Sequence, residues 1–176
     1  MRIRTVLMAI LCLAAACRDD APVAPSAPLS TLVGKGQVQL VIQQDRRLAG
    51  DSALFIVHVV ANDVPLAAYQ GEITFNAATF DVLAVRTPDP QDGEFRIVNG
   101  AAAASGRIQF AGFTPEGFTH TEALRIVARM RDGLAASDLD GTITVAGEVA
   151  GASMRPEQLR RSDGVRDART NLKLLP

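Results

Sequence analysis

The residues that could carry chemistry in this chain are few and scattered. His58 stands in the middle of the apolar run SALFIVHVV, and His120 stands in a loop. A metal centre needs several such ligands converging, so His58 is expected as a strand residue with a satisfied ring nitrogen and His120 as a solvated one. No serine lies in a G-x-S-x-G context, so the strained strand-to-helix turn that exposes a hydrolase nucleophile is not signalled. Asp138 and Asp140 flank Leu139 ahead of Gly141, and hard cations favour clustered carboxylates, which makes the pair a calcium candidate. The loop lacks the other ligands of an EF-hand, and Asp-Gly is ordinary hairpin chemistry. The expectation is a protein without catalysis, metal or cofactor.

Cysteine use points the same way. Cys12 lies inside VLMAILCLAAA, an uncharged run of eleven residues that follows the basic start MRIRT. A basic start, a short apolar core and a small-residue exit have the layout of a secretory signal. A membrane-spanning helix would need about 20 apolar residues. The exit LAAAC resembles the lipobox of bacterial lipoproteins, although Ala14 occupies the position where leucine is most usual. That resemblance implies a leader over 1–16 and acylation of Cys17, which would hold the chain at a membrane of the cell envelope. No thiol would then remain for a disulfide, a metal or a nucleophile. Removing Arg2 and Arg4 with the leader takes the formal charge from −1 to −3, too mild to imply a nucleic-acid partner.

A recognition surface is the remaining kind of site. Arg125, Arg129 and Arg131 share one face of LRIVARMR, opposite Leu124, Ile126, Ala128 and Met130, with Val127 interrupting the charged row. Such a row is either a solvated sheet face whose arginine stems cover apolar surface or a binding face for an acidic or planar partner. Tyr69 and Gln70 are the other candidates for that role. Sugar binding usually wants exposed rings, and the chain has no Trp, one Tyr and seven Phe. Phe113 and Phe118 could supply such rings, though both more simply pack inward.

The elements that must position these residues are strands. Residues 17–35 carry Pro22, Pro25 and Pro28 among Ala and Ser and read as an extended tether. From 36 onward, apolar-alternating runs at 37–44, 52–60, 67–75, 80–85, 94–98, 107–113, 123–130 and 142–149 are separated by turn residues. The run 52–60 is apolar on both faces, which predicts a strand covered on both sides. About 140 residues suffice for one domain with a substantial core. Short strands at this spacing, with no long helical pattern between them, predict an all-β sandwich of the jelly-roll type, with about eight or nine strands and no disulfides. The sandwich spans 36–150. The remainder, 151–176, carries Arg155, Arg160, Arg161, Arg166 and Arg169 among Glu157, Asp163 and Asp167. It reads as a solvated appendage with a short helical turn after Pro156 and room for a final strand.

The stretch AGDSALFIVHVVAND followed by YQGEITFNAATFDVLAV is similar to the start of a cohesin domain. There a Gly-Asp turn leads into a β-branched strand, and a second strand passes a turn resembling Tyr-Asp-Pro into a Leu-Glu-Val-type strand. Phe75-Asn76-Ala77 and Phe80-Asp81-Val82 stand at those two places. VNGAAAASGRIQFAGF, EALRIVARMRD and GTITVAGEV resemble the family's later segments. The resemblance covers roughly 36–150. It implies a non-catalytic module that binds a dockerin-like or other exported protein, on a fold related to carbohydrate-binding modules. Asn76 and Ala77 in place of Asp-Pro, and a strand at Ala68-Tyr69-Gln70 poor in Asn and Asp, weaken the dockerin implication more than the fold. The alternative function is carbohydrate binding in polysaccharide breakdown. The interruption at Asn76 is expected to be structural, a kink pinned by Phe75 and Phe80.

Overall fold

The computed structural model describes residues 28–48, 51–130, 139–149 and 151–167. All eight predicted strands are present. They are β1 (Val38–Arg47), β2 (Ser52–Ala61), β3 (Leu66–Thr74), β4 (Phe80–Arg86), β5 (Phe95–Asn99), β6 (Arg107–Phe113), β7 (Glu122–Met130) and β8 (Asp140–Glu148). Two short strands follow, β9 (Leu159–Arg160) and β10 (Val165–Asp167). One sheet has the order β10-β1-β2-β7-β4, with β9 also on β1; the other has the order β5-β6-β3-β8. The two stack as a sandwich. The predicted leader, Cys17 and the tether up to residue 27 lie outside the described residues.

Alternation explains the core. Val38, Leu40 and Ile42 of β1, Phe55 and Val57 of β2, Leu124 and Ile126 of β7, Ile73 of β3 and Ile108 of β6 are all fully buried in one cluster. Successive side chains on a strand point to opposite faces, so each run turns one apolar set inward. β2 is covered on its other face only in part. Val60 is buried there with Val41 and Val33, while Leu54 and Ile56 are half-buried.

The kink at Asn76 is the crossing from one sheet to the other, because β3 belongs to the four-stranded sheet and β4 to the six-stranded one. Asn76 Oδ1 accepts from the Ala78 amide at 3.0 Å, and its carbonyl accepts from the amides of Thr79 (3.1 Å) and Phe80 (3.0 Å). Phe75 and Phe80 flank this turn with ring centroids 5.3 Å apart. Gly106 lies against it at φ +82°, where a Cβ would stand 2.2 Å from the Phe75 carbonyl oxygen. Asn76→Ala removes the side-chain bond and should lower stability by about 1 kcal/mol, measured as a shift in the urea midpoint.

The structure departs from expectation at both ends of the domain. Leu29–Leu32 is a 3-10 turn, and Leu29 and Leu32 pack on the Val33, Val41 and Val60 cluster. Asn62 Nδ2 donates to the Val33 carbonyl at 2.7 Å. Part of the expected tether is therefore docked on the outer face of the larger sheet. After a short 3-10 turn at Pro156–Gln158, β9 and β10 pair parallel with β1, and Val165 is buried. The short helical turn and a final strand are where the sequence left room for them, but the segment closes an edge of the sandwich instead of lying solvated. Ladder hydrogen bonds, buried Met154 and Val165 and the partly buried Leu159 hold it, and charged neighbours obscured that in the sequence. Arg169 lies outside the described residues.

Candidate functional site

β5 is built against its own hydrophobic pattern. On the strand Phe-Arg-Ile-Val-Asn, Phe95 and Ile97 point to solvent, 60% and 53% exposed, while Arg96 points into the sandwich. The side chains of Arg96 and Glu94 are only 3% and 5% exposed. Arg96 Nη2 and Nε donate to Glu94 Oε2 at 3.0 and 3.2 Å, and Nη1 donates to the Glu122 carbonyl. Glu94 Oε2 also accepts from the Gln91 amide at 3.2 Å. The guanidinium lies 5.1 Å from the Phe118 ring centroid, a cation–π contact in a dry setting. A buried charge needs a partner and hydrogen bonds, and this one has both.

Tyr69 completes the arrangement from β3. It was expected on a binding surface and is instead buried, its ring tilted on Phe118 (4.9 Å) and Phe110 (6.1 Å). A Cβ at Gly112 would stand 2.4 Å from the Tyr69 ring, so the missing side chain on β6 is what admits the tyrosine. Burial pushes its hydroxyl up to about 12, with Arg96 acting in the opposite direction. That hydroxyl has no hydrogen-bond partner among the described residues.

The ladders carry the outward residues of β5 across the sheet in rows. Phe95 is opposite Phe113, which is opposite Ala68, which is opposite Gly147. Ile97 is opposite Ala111, then Gln70, then Val145. The next row, Asn99, Gln109, Glu72 and Thr142, is polar. The result is a largely apolar band two rows deep, interrupted by Gln70, with a polar border. Phe113 is 52% exposed, and Val145 and Val149 are also exposed. A groove of about 400 Å³ continues the band, lined by Ala67, Phe113, Pro115, Val145, Val149 and Ala152. Exposed apolar area of this continuity marks an interaction site more often than chance.

The other predicted site residues fall elsewhere. Gln70 lies in the band and is exposed. Arg125 and Arg129 point outward from β7 on the opposite face of the sandwich, so they share no surface with Gln70. Arg125 Nε donates to Glu122 Oε1 at 2.6 Å, which holds its guanidinium further toward the charged form, and Arg129 lies 3.6 Å from Asp81. Both are paired on a mixed-charge face. Arg131 and Asp138 lie outside the described residues. Both Asp140 carboxylate oxygens are engaged, one by the Ser162 hydroxyl and the Gly141 amide and the other by Arg161. Among the described residues no three His, Cys, Asp or Glu gather for a metal ion. Phe118 is half-buried under Arg96, whereas Phe113 does present its ring.

Gln91 Nε2 donates to His120 Nε2 at 2.7 Å, so His120 is tied to the 91–94 turn rather than simply solvated. His58 Nδ1 lies 3.0 Å from Thr121 Oγ1, but its Nε2 is buried without a partner among the described residues. Burial lowers the His58 pKa to about 4, against the opposing charge of Glu122. The unfolded chain therefore binds the proton more tightly. The stability contributed by the neutral ring is full above about pH 6.5 and is lost as pH falls toward 4, by up to about 3 kcal/mol. His58→Val should flatten the pH 4–6.5 dependence of the unfolding midpoint relative to the unaltered chain.

The band itself was missed in the sequence. Phe95, Ile97, Val145 and Val149 stand there only as members of apolar-alternating runs, and alternation alone would turn such residues inward. The one available signal was Arg96 set between two large apolar residues, which forces one set or the other to violate the pattern.

No protein-family model matches the chain, and no curated protein matches its sequence. Solved structures do match. The sixth cohesin from scaffoldin B of Acetivibrio cellulolyticus, solved in complex with a Cel5 dockerin mutant, aligns with a TM-score of 0.53 at 11% identity, over 73% of this chain and 96% of that one. The second type II cohesin module of the adaptor scaffoldin from the same organism aligns at 0.52 and 7% identity, over 73% and 94%. A cohesin module of a Clostridium perfringens family 33 glycoside hydrolase aligns at 0.51 and 12% identity, over 73% and 95%. At these identities the likeness concerns the fold. The domain is a cohesin-like β-sandwich.

Proposed function

We propose that this protein is an exported, lipid-anchored, non-catalytic recognition module that binds another protein through the outer face of its four-stranded sheet. One observation carries the reading: β5 turns Phe95 and Ile97 to solvent and buries a charged pair to do so. That arrangement gains nothing for an isolated domain and much for one whose outer face is covered. Binding energy concentrates in a few desolvated aromatic and aliphatic anchors within a polar surround, and the band supplies both. The Acetivibrio cohesin of like fold was solved with a dockerin bound, which supports a dockerin-like or other exported protein as the partner here. Cys17 would be the anchor.

The chain immobilised without its leader should capture exported proteins, and Ile97→Asp with Phe113→Asp should abolish that capture. Arg125→Glu with Arg129→Glu should leave it intact. Cys17→Ser should end fatty-acid labelling and move the protein out of the membrane fraction; an unlabelled wild-type chain would remove the anchor from the account.

Carbohydrate binding is the second reading, and the structure adds one observation in its favour. Phe95 and Phe113 are exposed directly opposite each other, a small ring platform that composition did not suggest. Retention on insoluble cellulose, chitin or xylan that is lost on changing Phe95 or Phe113 would favour it over a protein partner.

A further inference from the structure

His58 is a buried titratable group that the docking face does not use. Ala53, Phe55 and Val57 of β2 fill the core, so alternation turns His58 to the outer face of the six-stranded sheet. Val41 stands opposite it in the β1–β2 ladder, and Val60 lies two residues further along β2. Opposed residues, and residues two apart on one strand, share a face. Val41 and Val60 are fully buried there because Val33 packs on them with Leu29 and Leu32 beside it. His58 therefore borders the patch on which the N-terminal segment lies. Its Nδ1 is 3.0 Å from Thr121 Oγ1, and its Nε2 is buried with no partner among the described residues. A protonated ring must present an N–H at both nitrogens, and the one at Nε2 has no acceptor to meet.

The surroundings supply no substitute. From β7, Glu122 faces the ring in the ladder but is held by Arg125 at 2.6 Å, and Asp45 and Asp89 bear on Arg125. β1 brings Gln39 and Gln43 on either side of Val41, and β2 brings Ile56 and Val60. Residues 29–33 carry no charge, and Lys35 beyond them lies 3.6 Å from Asp63. The segment is also the part most easily given up. Its own hydrogen bonds are local, from the Thr31 amide to the Pro28 carbonyl and from the Val33 amide to the Ser30 carbonyl. Asn62 Nδ2 ties it to the domain through the Val33 carbonyl at 2.7 Å. β1, β2 and β7, by contrast, are held by long ladders.

We infer that residues 29–33 are a proton-released cover: protonation of His58 lifts the segment from the outer face, bares Val41 and Val60, and adds its length to the lead that precedes the domain. The device lies on the face opposite the docking band and does not depend on it. Linkage fixes its sign and size. The covered ring takes up its proton only at about pH 4, whereas a solvated ring does so at about 6.5. Opening is therefore unchanged above that window and gains as pH falls through it, by about 30-fold at pH 5 and about 150-fold at pH 4.

Two NMR measurements on the full chain test it. Coupling between cover and proton is reciprocal, so stripping the cover must strengthen proton binding. Leu29→Ser, Leu32→Ser and Val33→Ser together remove the segment's apolar anchors without touching the sheet, and should raise the His58 pKa from about 4 toward 6.5. In the unaltered chain, protection of the Val33 amide from hydrogen exchange should fall about 30-fold between pH 7 and pH 5. In His58→Val it should stay level over the same range. A His58 pKa still near 4 in the triple variant would show that the sheet alone buries the ring, and would overturn the inference. So would a Val33 protection that responds to pH equally in His58→Val and the unaltered chain, or in neither.

Discussion

Arg96→Ala should lower the unfolding free energy by about 3–5 kcal/mol, the usual cost of leaving half of a buried ion pair behind. Glu94 is 5% exposed and would retain only the Gln91 amide. The Glu122 carbonyl would lose its donor and the Phe118 ring its cation. A second effect follows from pattern. With Arg96 gone, nothing charged opposes a one-residue slip of β5, which would carry Phe95 and Ile97 to the core face. Replacing both members by apolar residues of similar volume, Glu94→Leu with Arg96→Met, should be far milder, because no uncompensated charge remains. Urea unfolding of the two variants decides the matter. Equal midpoints for Arg96→Ala and the unaltered chain would mean that the pair does not hold the strand.

Phe80→Ala and Phe75→Ala should each cost about 3–5 kcal/mol, as truncations of buried aromatics do. Phe80 is the more buried and touches two rings, Phe75 at 5.3 Å and Phe55 at 5.4 Å. Phe80→Ala should therefore sit at the upper end. Because the two rings are in contact, the double variant should fall short of additivity by about 0.5–3 kcal/mol. Differential scanning calorimetry gives all three values. Unchanged melting for both single variants would remove these phenylalanines from the crossing between sheets.

The sandwich was legible because alternation is a two-fold code and most of its strands obey it. The crossing at Asn76 was legible too, since Asn followed by small residues between two phenylalanines is turn chemistry with a packing anchor on each side. The orientation of Arg125 and Arg129 came out as expected for the same reason. What failed were positions decided by single distant partners. Tyr69 is buried because Gly112, more than forty residues later, leaves room for its ring, and glycine in a strand does not announce what fills its space. β9 and β10 are held by a ladder to β1 that local composition, rich in arginine, conceals. Val33 docks on Val41 and Val60; the run 52–60, apolar on both faces, called for such a cover without showing which segment supplies it. β5 is the deepest case: the pattern assigns Phe95 and Ile97 to the core, and a buried ion pair reverses the assignment.

That reversal is the basis of the proposed docking face, and hydroxyl-radical footprinting tests it side chain by side chain. The chain is oxidised alone and again after loading with the exported proteins it captures, at the same chain concentration. Phe95, Ile97, Phe113 and Val145 should all become protected on loading, while Leu83 on β4 and Val127 on β7 should oxidise at unchanged rates. Protection of Val127 with Phe95 and Phe113 still fully reactive would place the partner on the arginine face and contradict the account.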